Sequence, residues 1–396
     1  MNSSAEIILK QGKEESLLRF HPWIFSGAIQ HVAGDPDEGE LVTVFDHQRR
    51  FVARGHCQIG SIAVRVLTFA DEPIDDAWWE TRIRQAHALR QALGLTAHPE
   101  TGCYRLVHGE GDSLPGLIVD IYGSTAVMQA HSVGMYRSRE AIAKAIRSVY
   151  GGQITAVFDK SSGTLPYKAG INAEDGYLYG KSSDDPVLEN GNRFLVSWER
   201  GQKTGFFIDQ RENRALVARY ASGRRVLNTF SYTGGFSVYA LRGGAESVDS
   251  VDSSQRAVDL AQENAVLNFG ENAPHRAIAR DAFEFLREMK KDEYDLIILD
   301  PPAFAKHHKV LGNALKGYQR LNERAIRRIG PGGILFTFSC SQAVSKEHFR
   351  NAVFTAAAIA GRNVRILHQL TQPADHPVNI YHPEGEYLKG LVLYVE

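Results

Sequence analysis

The chain has 396 residues, 43% hydrophobic and 23% charged, with a formal net charge of −1, a soluble globular composition long enough for two or three domains. That balance gives no whole-chain case for nucleic-acid binding, the N-terminus lacks the pattern of a signal peptide, and no stretch approaches the roughly 18 apolar residues of a membrane span. Three cysteines, Cys57, Cys103 and Cys340, stand far apart without metal-ligand spacing, so neither a disulfide framework nor a metal site is expected, and a reducing cytoplasm is the default.

In chain order, "EIILK", "HPWIFSGAI", "GELVTVFD", "RRFVARGHC" and "SIAVRVLTF" read as short strands separated by Gly, Pro and Asp clusters, a small β-barrel over residues 1–75. "DAWWETRIRQAHALRQALGL" then takes helical period, with Trp79, Ile83, Ala86, Leu89 and Leu93 on one side and Gly94 as a stop. Strands "GLIVDIY", "STAVMQAH" and "ITAVFDK", with a helix near 135–150, suggest a small central α+β domain over 76–185. From 186 to 396 a hairpin-like "PVLENGNRFLV" leads into seven strands with intervening helices: "RVLNTF", "ESVDSVD", "RAIAR", "YDLIILD", "GILFTFS", "VRILHQL" and "LKGLVLYV". The expected fold class is therefore α/β, a Rossmann-like doubly wound sheet whose ligands bind at the carboxyl ends of its strands.

Those ends carry the chemistry. The first strand runs into "NTFSYTGGF", which is not the GxGxxG of a pyrophosphate loop. Asp252 ends the second strand, placed to accept hydrogen bonds from a ribose diol. Asp281 follows the third, where an adenine edge would lie, and Asp300 ends the fourth. Polar groups at four successive strand ends without a pyrophosphate loop suit a nucleoside lacking phosphates, S-adenosylmethionine (SAM).

The pieces "GQKTGFFIDQREN", "VLNTFSYTGGFSV", "SVDSSQRAVDLAQENAVLN", "DPPAFAK", "ALKGY" and "SCS" resemble class I SAM-dependent methyltransferases, and the whole chain resembles the RlmI-type 23S rRNA cytosine-C5 methyltransferases. "RLVHGEGDSLPGLIVDIY" is similar to that family's middle segment, and residues 1–75 to its RNA-binding PUA domain. The resemblance implies a cofactor site of Gln210, Arg211, Ser231, Tyr232, Thr233, Gly234, Asp252, Ser253, Asp281, Ala282 and Asp300, with Arg211 available to the methionine carboxylate. It implies 23S rRNA or a large-subunit assembly intermediate as partner, no membrane and no metal, and leaves the oligomeric state open, a homodimer included.

Carbon 5 of a pyrimidine is a poor nucleophile until a thiolate adds at carbon 6, and Cys340, at a strand end facing the cofactor, is the candidate thiol. Its bland alternative is a small residue capping a strand. Cys57 and Cys103 read as structural. No second cysteine follows Asp300-Pro301-Pro302, where Ala303 and Phe304 stand, so the base that removes the carbon-5 proton is not marked. Asp300 is the first candidate, ahead of Asp375, His376 and Glu384. Phe304 either stacks on substrate or packs its loop. Residues 305–330 hold seven basic residues against the single acid Glu323, and Lys316, Arg320 and Arg324 on one helical face are candidates for RNA phosphate. Methylation of uracil carbon 5 or of an exocyclic amine, the latter leaving Cys340 idle, stays open, as does an RNA-binding protein without turnover.

Overall fold

The structure, a computed structural model, describes residues 5–166, 170–182, 186–305 and 308–396. Packing divides the chain into two units: residues 1–187 with 196–208 and 374–385, and residues 188–195, 209–373 and 386–396. Lys306, part of the basic run, lies outside the described residues.

The first unit opens with β1 Glu6–Leu9, a short α1 Glu15–Leu18, then β2 Trp23–Phe25, β3 Ile29–Ala33, β4 Leu41–Phe45, β5 Phe51–Cys57 and β6 Ile62–Thr68. They form one six-stranded sheet in the order β2-β6-β5-β4-β1-β3. The "HPWIFSGAI" segment, read as one strand, is two, because Ser26–Ala28 makes a tight turn between them. Alternate residues Ile7 and Leu9, Val42 and Val44, and Val64 and Val66 are buried on one face, the period-two pattern of a half-buried sheet.

A second sheet follows. α2 Asp76–Ala92 precedes β7 Cys103–His108, β8 Leu117–Tyr122 and β9 Thr125–Ala130; α3 Val133–Arg137 and α4 Arg139–Tyr150 lead to β10 Ala156–Asp159 and β11 Gly176–Tyr179. Asp75 caps α2 through the Trp78 amide at 2.9 Å. The buried stripe of α2 is Trp79, Ile83, Ala86 and Arg90, whereas Leu89 and Leu93, expected inside, are each 38% exposed. Arg90 is accommodated inside because its charge is paired: Asp112 grips both terminal guanidinium nitrogens, the Arg105 carbonyl accepts from Nε at 2.6 Å, and the Asp375 carbonyl accepts a further bond at 2.7 Å. Residues 374–385 thus return to this unit from the far end of the chain. Asp375 also accepts the Arg105 amide at 3.0 Å, and Gly111 admits the Pro377 carbonyl so closely that a Cβ there would lie 2.0 Å from it. Residues 196–208 are tied down likewise, by Thr204 Oγ1 donating to Asp120 at 2.6 Å and by Lys160 on the Gly201 carbonyl at 2.7 Å.

The second unit begins at residue 188, within the hairpin of β12 Val187–Glu189 and β13 Asn192–Phe194. Helix α5 Arg211–Ala221 leads to β14 Arg225–Thr229, α6 Gly235–Arg242, β15 Ser247–Asp252, α7 Gln255–Phe269, β16 His275–Ala279, α8 Ala282–Glu288 and β17 Leu296–Leu299. Then come α9 Leu311–Arg328, β18 Gly333–Ser339, α10 Lys346–Ala360, β19 Val364–Leu370 and β20 Lys389–Val395. The seven strands order as β16-β15-β14-β17-β18-β20-β19, with β20 antiparallel to both neighbours. Successive residues face opposite cores, Ile297 and Leu299 toward α9 and α10, Leu296 and Ile298 toward α5 and α6, which is why the strands read as continuous apolar runs. The order reverses between β14 and β17, and the crevice at that switch point is where the strand-end residues collect. Among the described residues no helix is long and apolar enough to cross a membrane.

Candidate active site

The turn after β14 is left-handed at Phe230, Tyr232 and Gly234, with φ of 54°, 45° and 76°. A Cβ on Gly234 would lie 2.9 Å from that of Ala261, so the glycine both permits the turn and lets it press on α7. The turn points the Tyr232 amide at Asp252 Oδ2 (3.0 Å), while the Ser254 amide holds Oδ1 at 3.0 Å. Asp252 is thereby fixed at the end of β15 with a free lone pair on each oxygen, the acceptor pair a ribose diol requires. Ser231 Oγ is buried without a hydrogen-bond partner among the described residues, a polar atom that a ligand could satisfy. These two features fit SAM. Thr233 is buried, its carbonyl taken by Asn264 at 2.9 Å, and Ser253 is exposed beside Asp252. Asp281 caps α8 through the Glu284 amide at 2.9 Å, and Ala282 is buried in the first turn of that helix.

Asp300, just past β17, keeps a partly exposed edge, yet burial first and the nearby Asp209 second push its carboxyl up to about 7. Gln210 donates a side-chain hydrogen bond to it, and Arg214 offsets part of its charge. Gln210 also accepts from Asn213 at 2.6 Å, so it has two protein partners where the sequence suggested a cofactor contact. Asp209 does not cap α5; the residue at that position is Gln210, and Asp209 instead accepts the Tyr387 hydroxyl at 2.7 Å. Arg211 is 2% exposed, with Glu212 3.9 Å away.

Cys340 follows β18, the strand next to β17, with its thiol 4.0 Å from the Pro301 carbonyl oxygen. Its neighbours are anchored. Ser339 donates to the Tyr318 hydroxyl at 2.9 Å, Ser341 Oγ lies 3.0 Å from the same hydroxyl, and the Ala305 amide reaches Ser341 at 3.3 Å. One phenol from "ALKGY" therefore ties the "SCS" segment to the "DPPAFA" loop. Burial, then Asp300 and Asp209, push the Cys340 thiol up to about 12. Sequence reasoning missed Lys389, which is 6% exposed and donates to the Ser341 carbonyl at 2.6 Å. Its only sequence signal is a lysine opening an otherwise apolar strand. Asp375 and His376 pack into the first unit, 3.1 Å from each other and fully covered, and Glu384 is 3.7 Å from His382.

Phe304 packs its loop: it lies 4.7 Å from the Tyr318 ring and 6.0 Å from Phe283, over Gly317, where a Cβ would come within 3.0 Å of it. Beyond it, Phe283, Arg287, Asn313, Gly317, Arg320 and Arg324 line an open groove. Arg320 is exposed there and Lys316 is exposed on the same helix, whereas Arg324 is half-buried and donates to the Phe283 carbonyl at 2.8 Å. Cys57 donates to the Asp37 carbonyl at 2.8 Å and Cys103 is buried in the core of the central sheet.

A parallel sheet with one antiparallel strand inserted sixth in order, a carboxylate ending its second strand and a left-handed turn after its first define a methyltransferase fold that takes SAM. Family profiles agree: an S-adenosylmethionine-dependent methyltransferase profile matches residues 172–381 and a PUA-like domain profile matches 7–69. Ribosomal RNA large subunit methyltransferase I of Aeromonas hydrophila is 41% identical, covering 98% of this chain and 99% of the relative. The protein of that name from Tolumonas auensis is 42% identical with the same two coverages. A solved Streptococcus mutans protein assigned to the SAM-dependent methyltransferases has a TM-score of 0.83 at 23% identity, over 98% of this chain and 100% of that one. Another structure, of a methyltransferase complexed with SAH, gives 0.83 at 24% with the same coverage; at such identities the likeness speaks for the fold. The chain belongs to the S-adenosylmethionine-dependent methyltransferase family, among the relatives named ribosomal RNA large subunit methyltransferase I. Its cofactor is SAM.

Proposed function

We propose that this protein methylates carbon 5 of one cytidine in 23S rRNA, free or within a large-subunit assembly intermediate, with Cys340 as nucleophile. The observation that carries the reading is the Cys340 thiol beside the Asp300 carboxyl at adjacent strand ends, in the crevice where Ser231 and Asp252 leave cofactor-type hydrogen bonds open. SAM held there supplies the methyl group to carbon 5 as an electrophile. Cys340 gives up its proton to water and its sulfur bonds carbon 6 as the electron pair of the carbon 5–carbon 6 double bond shifts away, leaving carbon 5 an enamine-like nucleophile. After methylation a base removes the carbon-5 proton, the carbon–sulfur bond breaks, and the electron pair returns to the sulfur. Asp300, held near 7, has the affinity for a proton that a base working at neutral pH needs. A thiol raised to about 12 stays protonated until substrate arrives.

The reading assigns residues 1–75 to RNA binding, 76–185 to a central α+β domain and 186–396 to catalysis, and it implies work in the cytoplasm. Lys316 and Arg320, with Arg324 behind them, are suited to RNA phosphate. RNA carrying 5-fluorocytidine at the target tests the chemistry, because fluorine blocks the last proton removal. Wild-type protein should become covalently trapped after methyl transfer, and Cys340→Ala should form no adduct while still binding SAM. Retained cytosine-C5 methylation by Cys340→Ala would overturn the proposal.

A further inference from the structure

Lys389 opens β20 opposite Ser339, in antiparallel register. Its ammonium is buried, and its hydrogen bond goes to the carbonyl of Ser341, the residue after Cys340. Among the described residues no carboxylate forms an ion pair with it; Glu386, which attracts it, is paired with Lys346. A buried ammonium without a counter-ion is costly, and such groups collect at functional sites. Around the Cys340 sulfur stand Asp300 after β17, Asp209 before α5, Tyr318 of α9 and Lys389 of β20. Both acids oppose a thiolate, and Lys389 is the cation that favours one. The attraction is mutual, since Cys340 in turn favours the charged form of Lys389.

We propose that Lys389 is a positioning residue for Cys340: its ammonium holds the loop by the Ser341 carbonyl and becomes the counter-ion of the thiolate once the thiol proton has left for water. The inference rests on Cys340 as nucleophile, but its test does not need turnover. Burial holds the Lys389 ammonium down to about 8. Below that pH, alkylation of Cys340 by iodoacetamide, followed on its own peptide by mass spectrometry, should quicken with pH, about tenfold per unit until Asp300 ionises near 7 and less steeply from there. Above it the rate should flatten, because thiol with amine and thiolate with ammonium hold the same number of protons. Lys389→Met should lower the rate about tenfold at neutral pH and remove the flattening. Lys389→Arg should keep the fast rate and carry the linear rise to higher pH. A wild-type rate climbing unbroken through pH 8, or Lys389→Met alkylated as fast as wild type, would overturn the assignment. The wild-type profile needs no variant, so an unstable Lys389→Met leaves the test standing. Methylation that survives in Cys340→Ala would instead reject the nucleophile while the alkylation profile still judges the pairing.

Discussion

Ser339 donates a 2.9 Å hydrogen bond to the hydroxyl of Tyr318, a fully buried ring of α9, one residue ahead of Cys340. The same hydroxyl meets Ser341 at 3.0 Å, so the cysteine is held between two serines that share one anchor. Tyr318→Phe keeps the ring and removes the partner of both serine hydroxyls on that side, leaving them only the longer bonds from the Ala305 and Ser341 amides, a loss of about 1–3 kcal/mol. Urea denaturation should register that loss, and methylation should fall more than SAM affinity does. Unchanged stability would mean that the serines find other partners.

Asp252 is fixed by two backbone amides with one lone pair free on each oxygen. Asp252→Ala removes the ribose acceptor and the partner of the Tyr232 amide, and SAM affinity should weaken by about 1–3 kcal/mol. Calorimetry that finds wild-type affinity would rule out this placement of the ribose.

Asp300 predicts a pH dependence of stability. Its carboxyl is raised from 3.8 to about 7 in the fold, so between those values the folded state keeps a proton that the unfolded chain has released. Stability therefore falls as pH rises from about 4 to about 7 and is level above. Allowing for the exposed edge of the carboxyl, Asp300→Asn should gain about 1–3 kcal/mol over wild type at pH 8 relative to pH 4. Denaturation at the two pH values checks the sign. The same variant should lose methylation.

Lys316 and Arg320 stand exposed on α9, and Arg320 lines the groove. Lys316→Ala and Arg320→Ala should each weaken RNA binding, lower the slope of log affinity against log salt by about 1, and leave SAM binding unchanged. Filter binding across a salt series measures both effects. Arg324→Ala should additionally destabilise the fold, because its guanidinium bonds the Phe283 carbonyl.

The seven-stranded sheet was legible because strands covered on both faces leave unbroken apolar runs, and Asp252 and Asp300 were legible because polar residues end those runs. Strand β7 was not, since Arg105 interrupts its pattern; the arginine is accommodated by Asp120, across on β8, at 2.8 and 2.9 Å. Lys389 escaped notice for a similar reason. Its burial follows from pairing with Ser339, 50 positions away by number, and no local period reports a partner at that distance. Residues 374–385 carry no period at all, and what binds them is the backbone and carboxylate of Asp375 together with the gap at Gly111.

That late segment sets a timetable for synthesis. Arg90 is buried early in the chain, but one of its acceptors is the Asp375 carbonyl, and the sheet behind Arg105 waits for the same residue. A nascent chain usually folds its first domain while the next is being made; here the first unit is unfinished until residue 385 has emerged. A product that stops short of Asp375 loses one acceptor of the buried Arg90 guanidinium, which keeps Asp112 and the Arg105 carbonyl, and the missing bond lowers its stability. Connectivity thus ties the completion of the first unit to some of the last residues made.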